Sequence, residues 1–444
     1  MEKSTDIVIV GGGLAAYAAA VELKNSGREV TLVTKAPGGT ALSSGAWDLA
    51  DHPTRFQGQP WERARSIRAN LAEIIARNPF HPYAVLSRHS PAGEFFDFLL
   101  QRAGRAAGEL PLALTLVGEG NRLMPTDLGT LKPTALVQAS MAEADFSTME
   151  KAKVLVVGIS GYPQFNARFI REALLAQQED QARARLEFAG HWEVAVPELP
   201  SRSSLTGVEI AQCLDREASF VPLSTQLVKY LEGKVYSHLL LPPVLGLENT
   251  AALIAALRRL TGLKVGETLA TPMSVPGWRL QEAIQKYFQK NVGEIQEGQV
   301  VGFDGEGRRI KSVRIHDRER RVRIRARSFL LATGKYLGGG IRRQERFQES
   351  VFHLPLTYRG AVLDDQTVLR TSRPEAAALQ PFLSAGVAIN PLAQPLNAEG
   401  DVIFDNLFAS GGILADFDPA HERCAAGVSI ASGTIAARGA MQIS

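Results

Sequence analysis

Four apolar residues, Ile7 to Val10, run straight into three consecutive glycines, Gly11-Gly12-Gly13. A continuous β-branched run of this kind is expected for a strand buried on both faces of a parallel sheet. After the glycines, Leu14, Ala18, Val21 and Leu23 keep helical spacing, Asn25-Ser26-Gly27 supplies a C-terminal stop, and Val30 to Val33 forms a second apolar strand. The stretch therefore reads as a β-α-β unit. Within it, Gly11, Gly13 and Ala16 take the small-residue positions of G-x-G-x-x-G/A. Gly11 permits a sharp turn, Gly13 lets backbone approach a pyrophosphate, and Ala16 lets the helix lie close to the sheet. Leu14 and Ala15 open that helix, whose N-terminus faces the phosphates. The plain alternative is a glycine-rich turn in an ordinary α/β unit.

One position departs from the pattern. An Asp or Glu is expected at the end of the second strand to accept hydrogen bonds from ribose hydroxyls. Here the strand ends Val33-Thr34-Lys35. Thr34 can bond a hydroxyl, but without a charge, so an adenosine half is held less firmly or is absent.

A chain of 444 residues, 45% hydrophobic and 21% charged, has material for two domains and the composition of a globular enzyme. The 49 Lys and Arg against 46 Asp and Glu leave a net charge of +3, which gives no indication of a nucleic-acid partner. Cys213 and Cys424 are too few for a four-cysteine iron–sulfur cluster or a disulfide scaffold, as expected in a reducing cytoplasm. The opening residues do not read as a secretory signal, and no apolar run is long enough to span a bilayer.

Further along, Thr40, Ser43, Ser44 and Gly45 form a small-residue loop able to lie against a flat ligand, or a polar surface loop. Helices are expected over Pro60 to Arg77 and Ser90 to Gly104, with His81 between them as a cap or turn residue. Gly129 to Thr134 reads as a turn carrying Lys132. Strands at Val154 to Val157, Trp192 to Val196 and Tyr236 to Leu241 alternate with helical stretches around Arg168 to Ala184, Val208 to Arg216 and Asn249 to Leu260, the mark of an inserted α/β domain. Val300 to Phe303, Ile310 to Ile315 and Arg321 to Ile324 read as a β-meander, with turns at Gly305-Glu-Gly307 and Asp317-Arg-Glu319. Its arginines serve a solvated face or a partner-docking surface. The buried strand Phe329 to Leu331 follows, ending in Ala332-Thr333-Gly334-Lys335. Leu407 to Ala409, the Gly411-Gly412 turn and a small-residue helix from Gly427 to Ala437 repeat the strand, turn and helix of the start.

The order of these parts resembles the two-dinucleotide-binding-domain flavoproteins, the group that includes fumarate reductase. Ser43-Ser-Gly-Ala-Trp-Asp-Leu, His81-Pro-Tyr, Leu128-Gly-Thr-Leu, Val156-Val-Gly-Ile-Ser-Gly and Phe417-Asp-Pro look like the B subunit family of anaerobic glycerol-3-phosphate dehydrogenases, from Gly11 to Gly427. The fold class implied is α/β, a Rossmann-like flavin domain with a meander and an inserted α/β substrate or cap domain. Residues 1–60, 266–345 and 395–444 are expected to bind flavin, and 61–265 and 346–394 to form the cap. The resemblance implies oxidation of sn-glycerol 3-phosphate to dihydroxyacetone phosphate, with electrons passing to menaquinone and then fumarate or nitrate. The catalytic A subunit and the iron–sulfur, membrane-anchoring C subunit of the same complex would be partners, placing the chain at the inner face of the cell membrane through a partner. The resemblance implies FMN, although the fold type holds FAD. Gly39 stands where relatives carry a histidine bonded covalently to flavin, so the flavin is expected to be non-covalent.

The flavin contacts expected are Gly11, Gly13, Leu14, Ala15, Ala16, Thr34, Lys35, Thr40, Ser43, Ser44, Gly45, Ala332, Thr333, Gly334, Gly411, Gly412 and Gly427. Alcohol oxidation also needs a base and cations for a phosphate. Lys132, Arg279 and Arg359 are candidate cations, and His353 and His421 candidate bases, though a cap or surface role suits each as well. Cys424 reads as a packing residue rather than a redox thiol. Two other functions fit the residues: a non-catalytic assembly or electron-relay component, and a fumarate-reductase-like enzyme reducing a carbon–carbon double bond.

Overall fold

The computed structural model describes residues 1–51, 65–90, 92–116, 118–179, 186–199, 204–317, 320–343, 347–363, 381–419 and 421–443. Residues 60–64 and Pro91 of the first two expected helices, residues 180–184 of the third, and the Arg318-Glu319 turn lie outside the described residues.

The chain forms two compact units, one of residues 1–39, 48–111 and 283–444, the other of residues 40–47 and 112–282. These limits differ from the expected ones. Residues 61–111 and 346–394, assigned to a cap, belong to the first unit, and 266–282 to the second. Helix Ala92–Gly108 shows why: it packs on Leu14–Leu23, and Tyr17 donates its hydroxyl to Ala106 O at 2.6 Å.

In the first unit, β1 (Glu2–Val10), α1 (Leu14–Leu23) and β2 (Val30–Thr34) form the expected β-α-β unit. The sheet is completed by β3 (Glu294–Glu297), β4 (Gln299–Glu306), β5 (Arg309–Asp317), β6 (Arg320–Leu331) and β7 (Leu407–Ala409). The order is β3-β2-β1-β6-β5-β4, with β7 also paired to β6. β4, β5 and the start of β6 are the antiparallel meander. Arg321 to Ile324 and Phe329 to Leu331, read from sequence as two strands, are one twelve-residue strand. Its first half alternates buried and exposed residues and its last four are buried, because it leaves the solvated meander and enters the core between β1 and β7.

Register places Val10 opposite both Val33 and Leu331, and Leu331 opposite Ala409, all in parallel pairs. Four strands thus end at one level. β1 sits between β2 and β6, so its successive partners lie on opposite sides, the condition for a crevice at the carboxyl edge. Helix α2 (Ala425–Ile443) packs on α1. A Cβ on its Gly433 would lie 2.5 Å from Ala15 O, so glycine is what permits this approach.

The second unit is built on a wholly parallel sheet of strands Lys264–Glu267, His238–Leu241, Ala152–Ile159 and Leu186–Val194, in that order. Helices Ala167–Glu179, Gly207–Leu214 and Thr250–Thr261 match the expected stretches. Helix Glu217–Leu231, which sequence reading missed, contains Pro222, a residue that normally argues against a helix interior. Lys132 lies on strand Leu131–Thr134, not in a turn, and Arg279 lies on helix Val275–Asn291, whose later residues belong to the first unit.

Candidate functional site

The carboxyl edge of the first unit's sheet is lined by residues with little or no side chain. Gly11 has φ +126°, and a Cβ there would lie 2.2 Å from Ala332 O. Gly11 N donates to Val33 O at 2.9 Å and Ala332 N to Val10 O at 2.8 Å, which ties the glycine turn between both neighbouring strands. Gly411 comes close to α1, since its Cβ would lie 2.5 Å from that of Ala15. On Gly412 a Cβ would be 3.5 Å from Gly334 Cα. Gly11, Ala332, Gly334, Gly411, Gly412 and Ala15 are therefore brought together. Leu14 and Ala16 are buried beside them on α1. Gly13 is the N-cap of α1 and lies against Gly38, whose Cβ would come within 2.9 Å of Gly13 Cα.

Two hydroxyls at this edge, Thr333 Oγ1 and Ser410 Oγ, are buried with no hydrogen-bond partner among the described residues. Such groups cost free energy unless a ligand or water meets them. A glycine cradle at the start of a helix, with two unsatisfied hydroxyls at the same edge, fits a flavin nucleotide. Thr34 sits above Gly12, where a Cβ would lie 2.6 Å from its Oγ1, and it donates to Ala36 O at 3.3 Å. Lys35 is exposed and donates to Gln299 at 3.2 Å.

The other expected residues have the following surroundings. Gly427 is used for packing: a Cβ would lie 1.9 Å from the Tyr83 hydroxyl, which itself donates to Leu49 O at 2.5 Å. Thr40, Ser43, Ser44, Gly45, Lys132 and Arg279 belong to the second unit. There Lys132 donates to Ser44 Oγ at 3.3 Å. The small residues at 43–45 face the start of a helix, since a Cβ on Gly45 would lie 2.2 Å from Pro276 Cβ and one on Gly277 2.5 Å from Ser43 O. Arg279 is corrected as a phosphate-binding cation. Its guanidinium is buried and donates to both Glu267 oxygens and to Gly246 O.

His353 is exposed, with φ +58°, and Arg359 is exposed, with φ +51°. His421 Nδ1 lies 2.9 Å from Asp418 Oδ2. The expected cap role of His81 is met: it is the N-cap of helix Pro82–Leu86 and accepts from Tyr83 N at 3.0 Å through Nδ1. His81, Glu422 and Cys424 bring three ligand-type atoms within 4.8 Å of one another. Because Nδ1 accepts, a neutral His81 carries its proton on Nε2, the atom facing Glu422 and Cys424, which disfavours a metal there. Burial pushes the Cys424 thiol well above its usual range, so it is an inert packing group.

Sequence reading assigned no role to Lys335. It follows Gly334 directly, and its Nζ donates to Leu383 O at 2.8 Å and to Phe417 O at 3.5 Å, 4.7 Å from the centre of the Phe417 ring. Burial of the amine lowers its pKa to about 8, against the pull of Asp418, Asp416, Cys424 and Glu422. The signal available in sequence was a lysine immediately after a buried strand and its Ala-Thr-Gly turn, with Asp416-Phe-Asp418 elsewhere in the chain.

A family model described as FAD binding domain matches residues 6–428. The chain is 27% identical over 439 residues to the B subunit of anaerobic glycerol-3-phosphate dehydrogenase from Vibrio cholerae serotype O1, covering 96% of this chain and 94% of that one. The same-named protein of Yersinia enterocolitica is 28% identical over 438 residues, with 97% of each covered. Among solved structures, 3-ketosteroid delta1-dehydrogenase from Sterolibacterium denitrificans aligns at TM-score 0.42 and 10% identity, over 99% of this chain and 100% of that one.

Proposed function

The chain belongs to the FAD binding domain family, and from that premise we propose that this flavin-dependent oxidoreductase oxidises sn-glycerol 3-phosphate to dihydroxyacetone phosphate as one component of a larger complex. The observation that carries the reading is the glycine-lined edge where β1, β6 and β7 end together. The substrate reading is supported by the name shared by relatives that match nearly the whole chain. Menaquinone, and beyond it fumarate or nitrate, would receive the electrons. Those relatives are named as subunits, which supports a multi-subunit complex; the partners in this reading are a catalytic subunit and an iron–sulfur subunit. Among the described residues no helix is long and apolar enough to cross a membrane, so attachment at the inner face would come through a partner.

We take the cofactor to be non-covalent FAD. FMN, implied by the resemblance, has no support from a family model built on FAD. Gly11, Gly13 and the N-terminus of α1 would hold the pyrophosphate, with Thr333, Ser410 and Gly412 along the remaining edge. When bound, a flavin accepts a hydride from the alcohol carbon. The chain's own residues orient the ligand, exclude water and handle the hydroxyl proton.

The test is to purify the coloured protein, release the ligand with denaturant, and mix the intact protein anaerobically with glycerol 3-phosphate. FAD in the supernatant and loss of the visible flavin band are expected. FMN in the supernatant, or colour that stays on the denatured chain, would overturn the cofactor assignment. A flavin band that dithionite bleaches but glycerol 3-phosphate does not, with or without the partner subunits, would overturn the substrate assignment.

A further inference from the structure

We propose that Lys335 is the acid–base group of this site, the residue that accepts the hydroxyl proton of the alcohol. The proposal rests on the alcohol-oxidising reading above. In the step, the alcohol C–H hydrogen leaves with its electron pair to the flavin, the O–H proton passes to the Lys335 lone pair, and a carbonyl forms. The ammonium then returns its proton to water.

Lys335 directly follows Gly334 beyond β6, and a Cβ on Gly412 would lie 3.9 Å from its backbone N. The backbone of the lysine therefore stands where the two glycine turns meet, and its side chain carries the amine to the carbonyls of Leu383 and Phe417. Its hydrogen bonds suit the same role. A neutral primary amine has two N–H donors and one lone pair, and the carbonyls of Leu383 and Phe417 take two donors. The same bonds survive protonation, so the amine keeps its place in both charge states, as a reversible base requires.

The surroundings of the amine leave it free to titrate. Among the described residues no carboxylate comes within 4.0 Å of Nζ. Asp416 Oδ1 accepts from Arg359 N, and Asp418 faces His421. Asp418, Asp416, Cys424 and Glu422 act on the amine, and His81 acts on Asp416. These groups are enough to keep the amine protonated for part of the time but do not lock it as an ion pair. Desolvation brings the balance near neutral pH, the range in which a lysine serves as a base. Two other candidates are less suited: His353 is exposed, and Arg279 is tied to Glu267 in its own pair.

The experiment uses the FAD-loaded full chain, as wild type, K335M, K335R and K335A. In the oxidised protein without substrate, the flavin spectrum should show a transition near pH 8 that is absent from K335M. With glycerol 3-phosphate, the rate of bleaching should rise through that pH in wild type and fall by about 100-fold or more in K335M. K335R keeps a cation but lacks a usable base and should be equally slow. Added methylamine should restore bleaching by K335A in part. A spectral transition that persists in K335M, or near-normal bleaching by flavin-loaded K335R, would overturn the proposal. If glycerol 3-phosphate fails to bleach wild type while the transition still depends on Lys335, the substrate reading fails and the position of Lys335 beside the flavin stands.

Discussion

Arg279 and Glu267 form a doubly hydrogen-bonded ion pair, Nη1 to Oε2 at 2.7 Å and Nη2 to Oε1 at 3.0 Å, with the two side chains 1% and 0% exposed. Glu267 Oε1 also accepts from Leu245 N at 2.7 Å, and Arg279 Nε donates to Gly246 O at 2.7 Å. The pair fastens the loop after strand His238–Leu241 to helix Val275–Asn291. Removing one partner leaves a buried charge with no counter-ion, so Arg279→Met alone should cost about 3–5 kcal/mol. The double change Arg279→Met with Glu267→Gln should recover much of that loss. Denaturant midpoints of the three proteins decide it, and a single variant as stable as wild type would contradict the buried-pair account.

Glu349 carries a pH dependence of the opposite sign to that of an ordinary salt-bridged carboxylate. It is fully buried, accepts from Val351 N at 2.7 Å and Phe352 N at 2.6 Å, and burial nevertheless raises its pKa to about 7. A carboxyl with a raised folded-state pKa binds more protons folded than unfolded. Its contribution is therefore present at low pH and is lost as pH rises from about 4.5 toward about 7. The swing should be on the order of 3 kcal/mol. Hydrogen-exchange protection at 347–356, corrected for the intrinsic pH dependence of amide exchange, should fall across that window in wild type and stay level in Glu349→Gln.

Gly11 and Gly39 are both glycines of the first unit, but only one needs to be. Gly11→Ala forces an alanine to φ +126° with its Cβ 2.2 Å from Ala332 O, whereas Gly39 has nothing within 4 Å of an added Cβ. Gly11→Ala should lower stability by about 2 kcal/mol or more and abolish retention of flavin. Gly39→Ala should change stability by no more than about 0.5 kcal/mol. Retention of flavin by Gly11→Ala would mean that this turn is not the cradle.

The β-α-β unit was legible because its signals are local: a β-branched run, glycines at fixed spacing and a helical apolar period act within thirty-five residues. The same holds for His81, whose cap role needs only Pro82 and Tyr83. What sequence did not show depends on distant partners. Arg279 looked available because nothing local marks Glu267 as its partner. β6 looked like two strands because its burial changes midway, and that change comes from β1 and β7. For Lys335 the only local signal was its place after the Ala-Thr-Gly turn, because its environment is made by Leu383, Phe417 and Asp418, many residues away. Gly427 resembled a ligand-facing glycine, but its space is taken by Tyr83.

Thr34 tests the adenosine half directly. Its hydroxyl lies above Gly12 at the end of β2, the position from which a carboxylate would reach ribose hydroxyls, and its bond to Ala36 O at 3.3 Å is a weak one to give up. Thr34→Glu should strengthen FAD binding by about 1 kcal/mol, roughly fivefold, since a charged acceptor makes the stronger hydrogen bond. FMN has no adenosine ribose and should gain nothing. Titrating the apoprotein with each flavin separates the cases: a gain confined to FAD places the ribose at Thr34. Equal effects on both flavins, or none on FAD, would mean that the glycine edge holds the ligand without an adenosine half at β2.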